Sequence, residues 1–388
     1  MNIPDRPVYL DHNASTPVLP EVVEAMIPFL RDQYGNPSST HAYGTSLRGP
    51  LERARSQVAA LIECAPEEVF FTSGGTEANN LAIRGVAAAQ PARPSVGTSV
   101  IEHPATAAPC DDLERTGWQV TRIPVDGVGR VDLGELDRAL QDGPAPGLVT
   151  VMYANSETGT LQPIREIAKA AHQVGATMHT DAAQACGKVP VSVADDDVDL
   201  LSLAGHKLYA PKGVGALFVR SGTPIRPFLL GAGHERGLRP GTENVAFIVG
   251  LGTACQAARR DLELEGRRVA ALRDRLWGLL ASEIPGLAQN GDPNGRLPNT
   301  LNVRFSGTSG DAVLAACPEV AASTGSACHA GVDRASDVIL AMGFPEEEAL
   351  GSVRLSLGRG TTEEQVGRAA AALVRAWRAV TSPSHEPE

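Results

Sequence analysis

Helical and extended patterns alternate between about Pro50 and Phe218, and this alternation restricts the fold more than any other feature of the chain. Short apolar and β-branched runs are followed by helical stretches, with Gly, Pro or Asp between them. The clearest runs are EVFFTS, LVTVMYA, ATMHTDAA, VDLLSLAG and GALFVR, and the clearest helical stretches are EANNLAIRGVAAA and IREIAKAAHQVG. Repeated units of this kind predict an α/β fold in which helices flank a mostly parallel sheet.

The pattern changes after Asn244, where one long helical stretch runs to about Ile284. A turn-rich segment, the extended runs TLNVRF and SVRLSLG, and a closing helical stretch follow it. We interpret residues 15–257 as a large domain and residues 258–388 as a smaller α/β domain. Residues 1–14 are expected to form an arm that associates with the small domain.

Charge and hydropathy limit the partners of the protein. The formal net charge is −11, and an acidic surface attracts neither nucleic acid nor an anionic membrane. No apolar stretch is long enough to span a bilayer, and the first residues show no basic and apolar leader. We therefore expect a cytoplasmic protein that acts on small molecules or on other proteins.

Reactive residue types are sparse in this chain. The six cysteines are scattered without CxxC pairs, which indicates neither a disulfide framework nor a metal site; they are Cys64, Cys110, Cys186, Cys255, Cys317 and Cys328. Lysine occurs only at Lys169, Lys188, Lys207 and Lys212. Because arginine supplies the remaining positive charge, each lysine is a candidate for lysine chemistry.

A glycine-rich turn joins an extended run to a helical stretch in FFTSGGTEANN. Gly74 and Gly75 let backbone N–H groups approach an anion at a helix N-terminus, and the Thr76 hydroxyl adds a donor. This pattern is typical of a phosphate-binding turn, although a plain connection also has it.

A polar pair follows the next extended run, in HTDAAQ. Asp181 lies near the carboxyl end of a predicted strand, where parallel sheets bind ligands. A carboxylate there can keep a pyridinium nitrogen protonated, and Gln184 can donate to a phenolic oxygen. The ordinary interpretation of such an aspartate is a helix N-cap.

His206 and Lys207 follow a further extended run, in LSLAGHKLYAPKG. A lysine at that place can form a Schiff base, whereas a lysine in a loop is ordinarily a solvated charge. The phosphate-binding turn, the strand-end aspartate and the strand-end lysine occur in this order on one α/β domain. Together they predict a site for pyridoxal phosphate (PLP).

Several motifs resemble those of the cysteine desulfurase family, a branch of the fold-type I, class V aminotransferase-like PLP enzymes. They are YLDHNASTP, GNPSSTHAYG, FTSGGTEANNLAIRG, HTDAAQACGKVPV, GHKLYAPKGVGAL, RPGTENV and ASTGSACHA. The similarity runs from about Val8 to the closing helix and implies a fold-type I PLP-dependent transferase. RPGTEN, GRLPNTLNV and the Cys-His pair after GSA also resemble the selenocysteine lyase branch.

The resemblance implies a role for each matching residue. Lys207 is similar to the lysine that carries the cofactor, Asp181 to the partner of the ring nitrogen, and Gln184 to the donor of the phenolic oxygen. His103 is similar to a histidine that stacks on the ring and moves protons. The remaining cofactor contacts that it implies are Gly75, Thr76, Asn155, His206 and Thr242, and the substrate contacts are Asn13, Ser156 and Arg354.

Three of these positions, and Ala204 in addition, carry further expectations. Thr242 matches a threonine that reaches the phosphate of the partner subunit, so the resemblance implies a homodimer. Arg354 matches the arginine that pairs with the substrate carboxylate. Ala204 stands where the family usually has a serine, which removes one phosphate hydroxyl, and Ser156 stands where the family usually has an asparagine beside the cofactor and substrate.

Cys328 lies in STGSACHAG, a stretch of small residues. The ordinary interpretation of a single cysteine is a buried, inert thiol, but the match to the family motif implies the thiol that accepts sulfur. The resemblance thus implies that L-cysteine gives L-alanine and a persulfide on Cys328, which passes its sulfur to an acceptor protein. Cys328, Lys207 and His103 are the expected catalytic residues.

Three alternatives remain open at this point. A selenocysteine lyase would release selenium from L-selenocysteine. Another reaction of the same fold, such as transamination or a different β-elimination, would need Lys207 but not Cys328. A PLP-binding partner of a sulfur carrier with little catalysis is the third, and the departures at Ala204 and Ser156 leave it open.

Overall fold

The computed structural model of the protein describes residues 6–325 and 334–382. Its strands are β1 (Val8–Tyr9), β2 (Val69–Thr72), β3 (Ser95–Ser99), β4 (Gln119–Ile123), β5 (Leu148–Thr150), β6 (Thr177–Asp181), β7 (Leu200–Ala204), β8 (Gly215–Val219), β9 (Ala288–Asn290), β10 (Thr300–Arg304), β11 (Val320–Ala321) and β12 (Ser352–Ser356). Its helices are α1 (Pro20–Arg31), α2 (Ala42–Ile62), α3 (Gly75–Ala89), α4 (Pro104–Arg115), α5 (Leu133–Gln141), α6 (Ile164–Gln173), α7 (Val245–Ala281), α8 (Gly310–Ala315), α9 (Asp337–Ala341), α10 (Glu346–Leu350) and α11 (Glu363–Thr381). Short 3₁₀ turns cover Pro66–Glu68, Gly205–Lys207 and Glu235–Gly237.

The main sheet has the strand order β2-β8-β7-β6-β5-β3-β4. Its strands run parallel except β8, which is antiparallel to both of its neighbours. Every residue of β5, β6 and β7 is buried, because a parallel sheet is covered on both faces. The mostly parallel α/β architecture predicted from the sequence is therefore confirmed.

The strand directions bring three turns to one edge of this sheet. Because β8 reverses direction on both sides, β2 runs parallel to β7 and β6. Their carboxyl ends therefore meet at the same edge, which is where α/β sheets bind ligands. The glycine-rich turn follows β2, Asp181 ends β6, and Lys207 follows β7.

A second, antiparallel sheet has the order β12-β10-β9, and β1 pairs in parallel with β11. Arg354 lies in β12 opposite Asn302 of β10. A backbone bond from Asn13 N to the Ser356 hydroxyl, at 2.9 Å, joins the N-terminal arm to this sheet. The Thr16 N–H also donates to the His206 carbonyl at 2.9 Å, so the start of the chain contacts both the smaller sheet and the edge of the main sheet.

Three apolar cores support these sheets. One packs α1, α2 and the first part of α7 with the main sheet, and a second packs α3 and α4 with the same sheet. The third combines Val8 and Leu10 with the second part of α7, β10, β12 and α11. α7 begins at a local signal, because the Asn244 side chain caps it by accepting from the Phe247 N–H. The helix runs without interruption across the boundary expected near residue 257, so the three-part division of the chain stays a prediction.

Within residues 6–325 and 334–382, no helix combines the length and the apolar character that crossing a bilayer requires.

Candidate active site at the carboxyl edge of the main sheet

Asp181 is the last residue of β6 and is held by two donors. Its Oδ2 accepts from Asn79 Nδ2 at 2.7 Å, and its Oδ1 accepts from the Ala183 N–H at 3.0 Å. The side chain is buried, at 8% exposure, so both bonds fix the orientation of the carboxyl group at the sheet edge. The sequence predicted no role for Asn79, although this residue lies in the TEANN motif at the start of α3.

Lys207 reaches from the end of β7 to the N-terminal arm. Its Nζ donates to the carbonyl oxygen of Asn13 at 2.7 Å and to that of Ala14 at 2.9 Å. The Gln184 amide Nε2 donates to the same Asn13 oxygen at 2.9 Å. Lys207 and Gln184 therefore both bond to the Asn13 carbonyl of the arm. The sequence predicted these three residues to belong to one site.

The glycine-rich turn has the backbone geometry that the motif predicts. Gly74 adopts φ +143°, where a side chain would strain the backbone, and precedes the first residue of α3. A Cβ on Gly75 would lie 3.1 Å from the Ala204 methyl group, so the turn packs closely against the end of β7. Thr76 is exposed in the first turn of α3, where its hydroxyl and the free N–H groups can meet an anion.

His206 lies beside this turn with an unsatisfied ring nitrogen. Its Nδ1 is buried and has no hydrogen-bond partner. Burial lowers the pKa of His206 to about 4, and the cationic Lys207 and Lys212 act in the same direction. The imidazole is therefore neutral near pH 7, and it can donate to a bound phosphate from one nitrogen only.

His103 is the N-cap of α4, and its tautomer follows from its contact. Nδ1 accepts from the Ala105 N–H at 3.0 Å, so the proton of the neutral ring lies on Nε2. Burial lowers the pKa of His103, Asp181 opposes this shift, and Lys207 reinforces it. The neutral ring thus presents an Nε2–H group, and it lies close enough to Asp181 and Lys207 for their charges to shift its pKa.

Glu102, next to His103, is a buried acid that the sequence did not single out. Its Oε1 accepts from the Ser99 hydroxyl at 2.5 Å and from the Met152 N–H at 2.9 Å, and its buried Oε2 has no partner. Burial raises the pKa of Glu102 to about 8, with Asp181 adding to the shift. The carboxyl group ties the chain before His103 to the end of β5.

The three expected substrate residues are joined by one backbone oxygen. The Ser156 carbonyl accepts from Asn13 Nδ2 at 3.1 Å and from Arg354 Nη1 at 3.2 Å. Arg354 Nη2 also donates to Asp11 Oδ1 at 2.7 Å. The structure therefore brings Asn13, Ser156 and Arg354 together, and the buried Nε of the guanidinium has no partner.

Asn155 and Thr242 have fewer contacts with the other expected site residues. Asn155 Oδ1 accepts from the N–H groups of Glu157 and Thr158, so this side chain organises its own loop, and only its Nδ2, 3.4 Å from Ile101 O, is weakly engaged. Thr242 is exposed. Among the described residues, no hydrogen bond of its side chain joins it to the other expected cofactor residues.

Cys328 lies outside the described residues, but Ser336 after it bonds to Glu157 and Gly325 before it lies near the same side chain. A Cβ on Gly325 would lie 3.3 Å from Glu157 Oε2, and the Ser336 hydroxyl donates to that oxygen at 2.5 Å. Ser323 also bonds to Asp11 and to Arg354. The chain on both sides of residues 326–333 is thus fastened to loops that border the expected substrate residues.

The five described cysteines share one chemical property. Burial raises the pKa of each thiol above its usual value, to about 12 at Cys64 and Cys110 and about 11 at Cys317, and further at Cys186 and Cys255. A protonated thiol is a poor nucleophile, and all of these thiols except the partly exposed Cys64 are also buried. None of these five is therefore suited to accept sulfur.

The candidate site has open space at the glycine-rich turn and unsatisfied polar groups near it. The position of a Cβ on Gly74 has no atom within 4 Å. The buried His206 Nδ1 and Asn79 Oδ1, at the same edge of the sheet, have no partners, and buried polar atoms are ordinarily satisfied. PLP needs a helix N-terminus for its phosphate, a carboxylate for its ring nitrogen and a lysine amine for its aldehyde carbon. The residues present therefore fit this cofactor.

Comparison with known proteins first defines the class. Residues 8–368 match the family model described as Aminotransferase class-V. This match spans most of the chain, which therefore belongs to the class-V aminotransferase family.

Individual relatives define the branch. The cysteine desulfurase of Trichormus azollae is 47% identical over 363 residues, which are 93% of this chain and 90% of that protein. A solved NifS-like protein superposes with a TM-score of 0.88 at 35% identity, over 95% of this chain and 98% of its own. SspA, solved in complex with cysteine, gives a TM-score of 0.80 at 35% identity, over 90% and 98% of the two chains. The chain thus belongs to the cysteine desulfurases, a family of PLP enzymes, and the resemblance seen in its motifs is confirmed.

Proposed function

We propose that this protein is a PLP-dependent cysteine desulfurase that carries its cofactor on Lys207 and accepts sulfur on Cys328. The observation that carries the proposal is the meeting of Lys207, Asp181 and the glycine-rich turn at one sheet edge, beside Arg354 and Asn13. L-Cysteine is the proposed substrate, and L-alanine is the proposed product.

Each end of the cofactor has a proposed set of partners. The N-terminus of α3 with Gly75 and Thr76, together with His206, would hold the phosphate. Asp181 would pair with the ring nitrogen, Gln184 would donate to the phenolic oxygen, and His103 would cover the ring near Asn155. When bound, PLP withdraws electrons from the substrate α-carbon and so makes its α-proton acidic.

The chain's own residues would then orient the substrate and move protons. Arg354 is suited to the substrate carboxylate because its Nε is unpartnered and its guanidinium is positioned by Asp11 and Ser156. The Lys207 amine, once released from the cofactor, can remove the α-proton. His103 can donate from Nε2 to a substrate group on the same side of the site.

Sulfur transfer would use Cys328 as the nucleophile. Its thiolate forms an S–S bond with the substrate sulfur while the Cβ–S bond breaks. The electron pair of the broken bond passes to Cβ, which takes up a proton, and Lys207 returns a proton to the α-carbon. L-Alanine is then complete, and a persulfide remains on Cys328. The raised pKa of each of the five other thiols, caused by burial, supports this choice.

The proposal extends to partners. A homodimer in which Thr242 reaches the partner's phosphate is supported by the exposed position of Thr242 and by exposed apolar side chains such as Leu230, at 89%, and Tyr34, at 72%. The persulfide sulfur would pass to an acceptor protein, and the cytoplasm is the proposed location.

The test is a parallel assay of the purified protein with L-cysteine and L-selenocysteine, measuring alanine and, by mass spectrometry, persulfide on Cys328. We expect alanine from L-cysteine, a persulfide at Cys328, and loss of both in Lys207→Ala. Cys328→Ser should lose turnover, whereas the matched control Cys64→Ser should not.

Other outcomes identify the alternatives. Alanine from L-selenocysteine alone would indicate a selenocysteine lyase. A protein that binds PLP but forms no alanine from either substrate would be a non-catalytic partner, and the central proposal would be wrong.

A further inference from the structure

Lys188 is the second lysine of the candidate site, and none of the roles proposed so far involves it. It lies in the segment after β6 and is mostly buried, whereas a lysine is ordinarily exposed. Its Nζ donates to Gln184 Oε1 at 2.5 Å and to Asn13 Oδ1 at 3.2 Å. Both acceptors are side chains with a proposed contact to cofactor or substrate.

These two contacts decide how each amide is oriented. A lysine amine offers its N–H groups to oxygen, so the Oε1 atom of Gln184 must face Lys188. The Gln184 Nε2 group therefore turns the other way and donates to the Asn13 carbonyl at 2.9 Å. A reversed amide would place two donors against each other.

The same reasoning applies to Asn13. Its Oδ1 accepts from Lys188 and from Asn299 Nδ2, the latter at 3.0 Å. Its Nδ2 consequently donates to the Ser156 carbonyl at 3.1 Å and to the Thr300 hydroxyl at 2.8 Å. Lys188 thus helps to fix the arm residue whose backbone oxygen receives the Lys207 amine.

Among the described residues, no carboxylate contributes to the pKa shift of Lys188, so an ion pair does not explain the position of its amine. Burial lowers the pKa of Lys188 well below its usual value, and the cations Lys207 and Arg354 act in the same direction, with Cys186 opposing them. The positive charge of Lys188 in turn contributes to the lowered pKa of His12 and of His206, after the larger effect of burial. The position of its amine is therefore explained by the two amide oxygens.

We infer that Lys188 is a positioning residue, which orients the Gln184 and Asn13 amides for the cofactor and substrate. This inference rests on the proposed function. Without the lysine, Gln184 loses the contact that directs its N–H groups, and Asn13 loses one of the two donors on its oxygen. The competing explanation is a lysine that only stabilises the fold.

The test compares Lys188→Met with Lys188→Arg and with the matched control Lys169→Met on the exposed face of α6. Apoprotein is titrated with PLP to obtain the dissociation constant, and the visible absorption of the loaded protein is followed against pH. Thermal unfolding of the apoprotein reports folding separately.

We expect Lys188→Met to weaken PLP binding by about 3- to 10-fold, the range for one lost hydrogen bond. The pH midpoint of the visible absorption should rise by about 0.5 to 1 unit. Without the Gln184 donor, the phenolic oxygen of the cofactor is more basic and holds the proton that it shares with the Lys207 nitrogen more tightly. Lys188→Arg, which keeps a donor, should lie between Lys188→Met and the wild type, and Lys169→Met should equal the wild type.

Two results would overturn the inference in distinguishable ways. If Lys188→Met, or Lys188→Ala where the former does not fold, lowers only the melting temperature and leaves PLP affinity and the midpoint at control values, Lys188 is a fold-stabilising residue alone. If the wild type forms no visible band with PLP, the proposed function is wrong and the inference fails with it.

Discussion

Arg354 and Asp11 form an ion pair in which Nη2 and Oδ1 lie 2.7 Å apart. The guanidinium is almost fully buried, at 3% side-chain exposure, whereas the carboxylate is 19% exposed. Asp11 therefore compensates the buried charge and fixes one side of the guanidinium plane. The unpartnered Nε remains for a second anion, which we propose to be the substrate carboxylate.

Replacing Arg354 tests this proposal. Arg354→Lys keeps the charge but loses the planar pair of donors. We expect the KM for L-cysteine to rise about 10-fold or more, the effect of losing a charge-assisted hydrogen bond, with a smaller change in kcat. Arg375→Lys, at an exposed ion pair with Glu319, is the control and should leave both constants unchanged. An unaltered KM in Arg354→Lys would remove Arg354 from the substrate site.

The hydrogen bond from Asn79 to Asp181 predicts that replacing Asn79 weakens activity less than replacing Asp181 does. Asn79→Ala leaves the buried Asp181 carboxyl group with one donor fewer, which loosens its orientation toward the ring nitrogen. We expect the rate of alanine formation to fall by about 10-fold and PLP binding to weaken. Asp181→Ala should be affected more strongly in both measurements. Wild-type rates in Asn79→Ala would show that this bond does not support the ring partner.

Ala204 borders the glycine-rich turn, since its methyl group lies 3.1 Å from the position of a Cβ on Gly75. A serine hydroxyl at this place would be within reach of a phosphate bound to the turn. We expect Ala204→Ser to tighten PLP binding by about 10-fold, measured by titration of the apoprotein. Ala87→Ser, near the other end of α3, should not change it. Weaker binding in Ala204→Ser would mean that the hydroxyl does not reach the phosphate.

Glu102 predicts a pH dependence of stability. Its pKa is raised from 4.5 to about 8, chiefly by burial, so the folded protein holds a proton that the unfolded chain releases. The stabilisation is fully present below pH 4.5 and is lost as the pH rises to about 8. In Glu102→Gln this loss should disappear. Melting temperatures of the apoprotein should therefore be similar for the two proteins at about pH 5 and diverge toward about pH 8, where the wild type falls below Glu102→Gln, and parallel curves for the two proteins would contradict the assignment.

Local sequence signals predicted much of the fold. The apolar runs and helical stretches between Pro50 and Phe218 became β2, β5, β6, β7, β8, α3 and α6, because periodicity and turn residues act over a few positions. The long stretch after Asn244 is α7 for the same reason. The reversed direction of β8 was not predicted, since strand direction depends on pairing rather than on local pattern.

The candidate site was predicted unevenly. Asp181, His206 and Lys207 follow strands and could be placed at a sheet edge from their positions alone. Asn79, Glu102, Asp11 and Lys188 were missed as partners, because an asparagine in a helix or a lysine after a turn has no local signal that names its contact. Their roles come from hydrogen bonds that cross between elements.

The sequence by itself determined the elements, the strand-end positions of the reactive side chains and, through its motifs, the family. Only the tertiary structure decided that Asn13 meets Lys207, 194 residues further along the chain, and that Arg354 meets Asp11, 343 residues away. The physical reason is that backbone propensity is encoded over a few residues, whereas these contacts exist only after the arm, the main sheet and the smaller sheet have packed together.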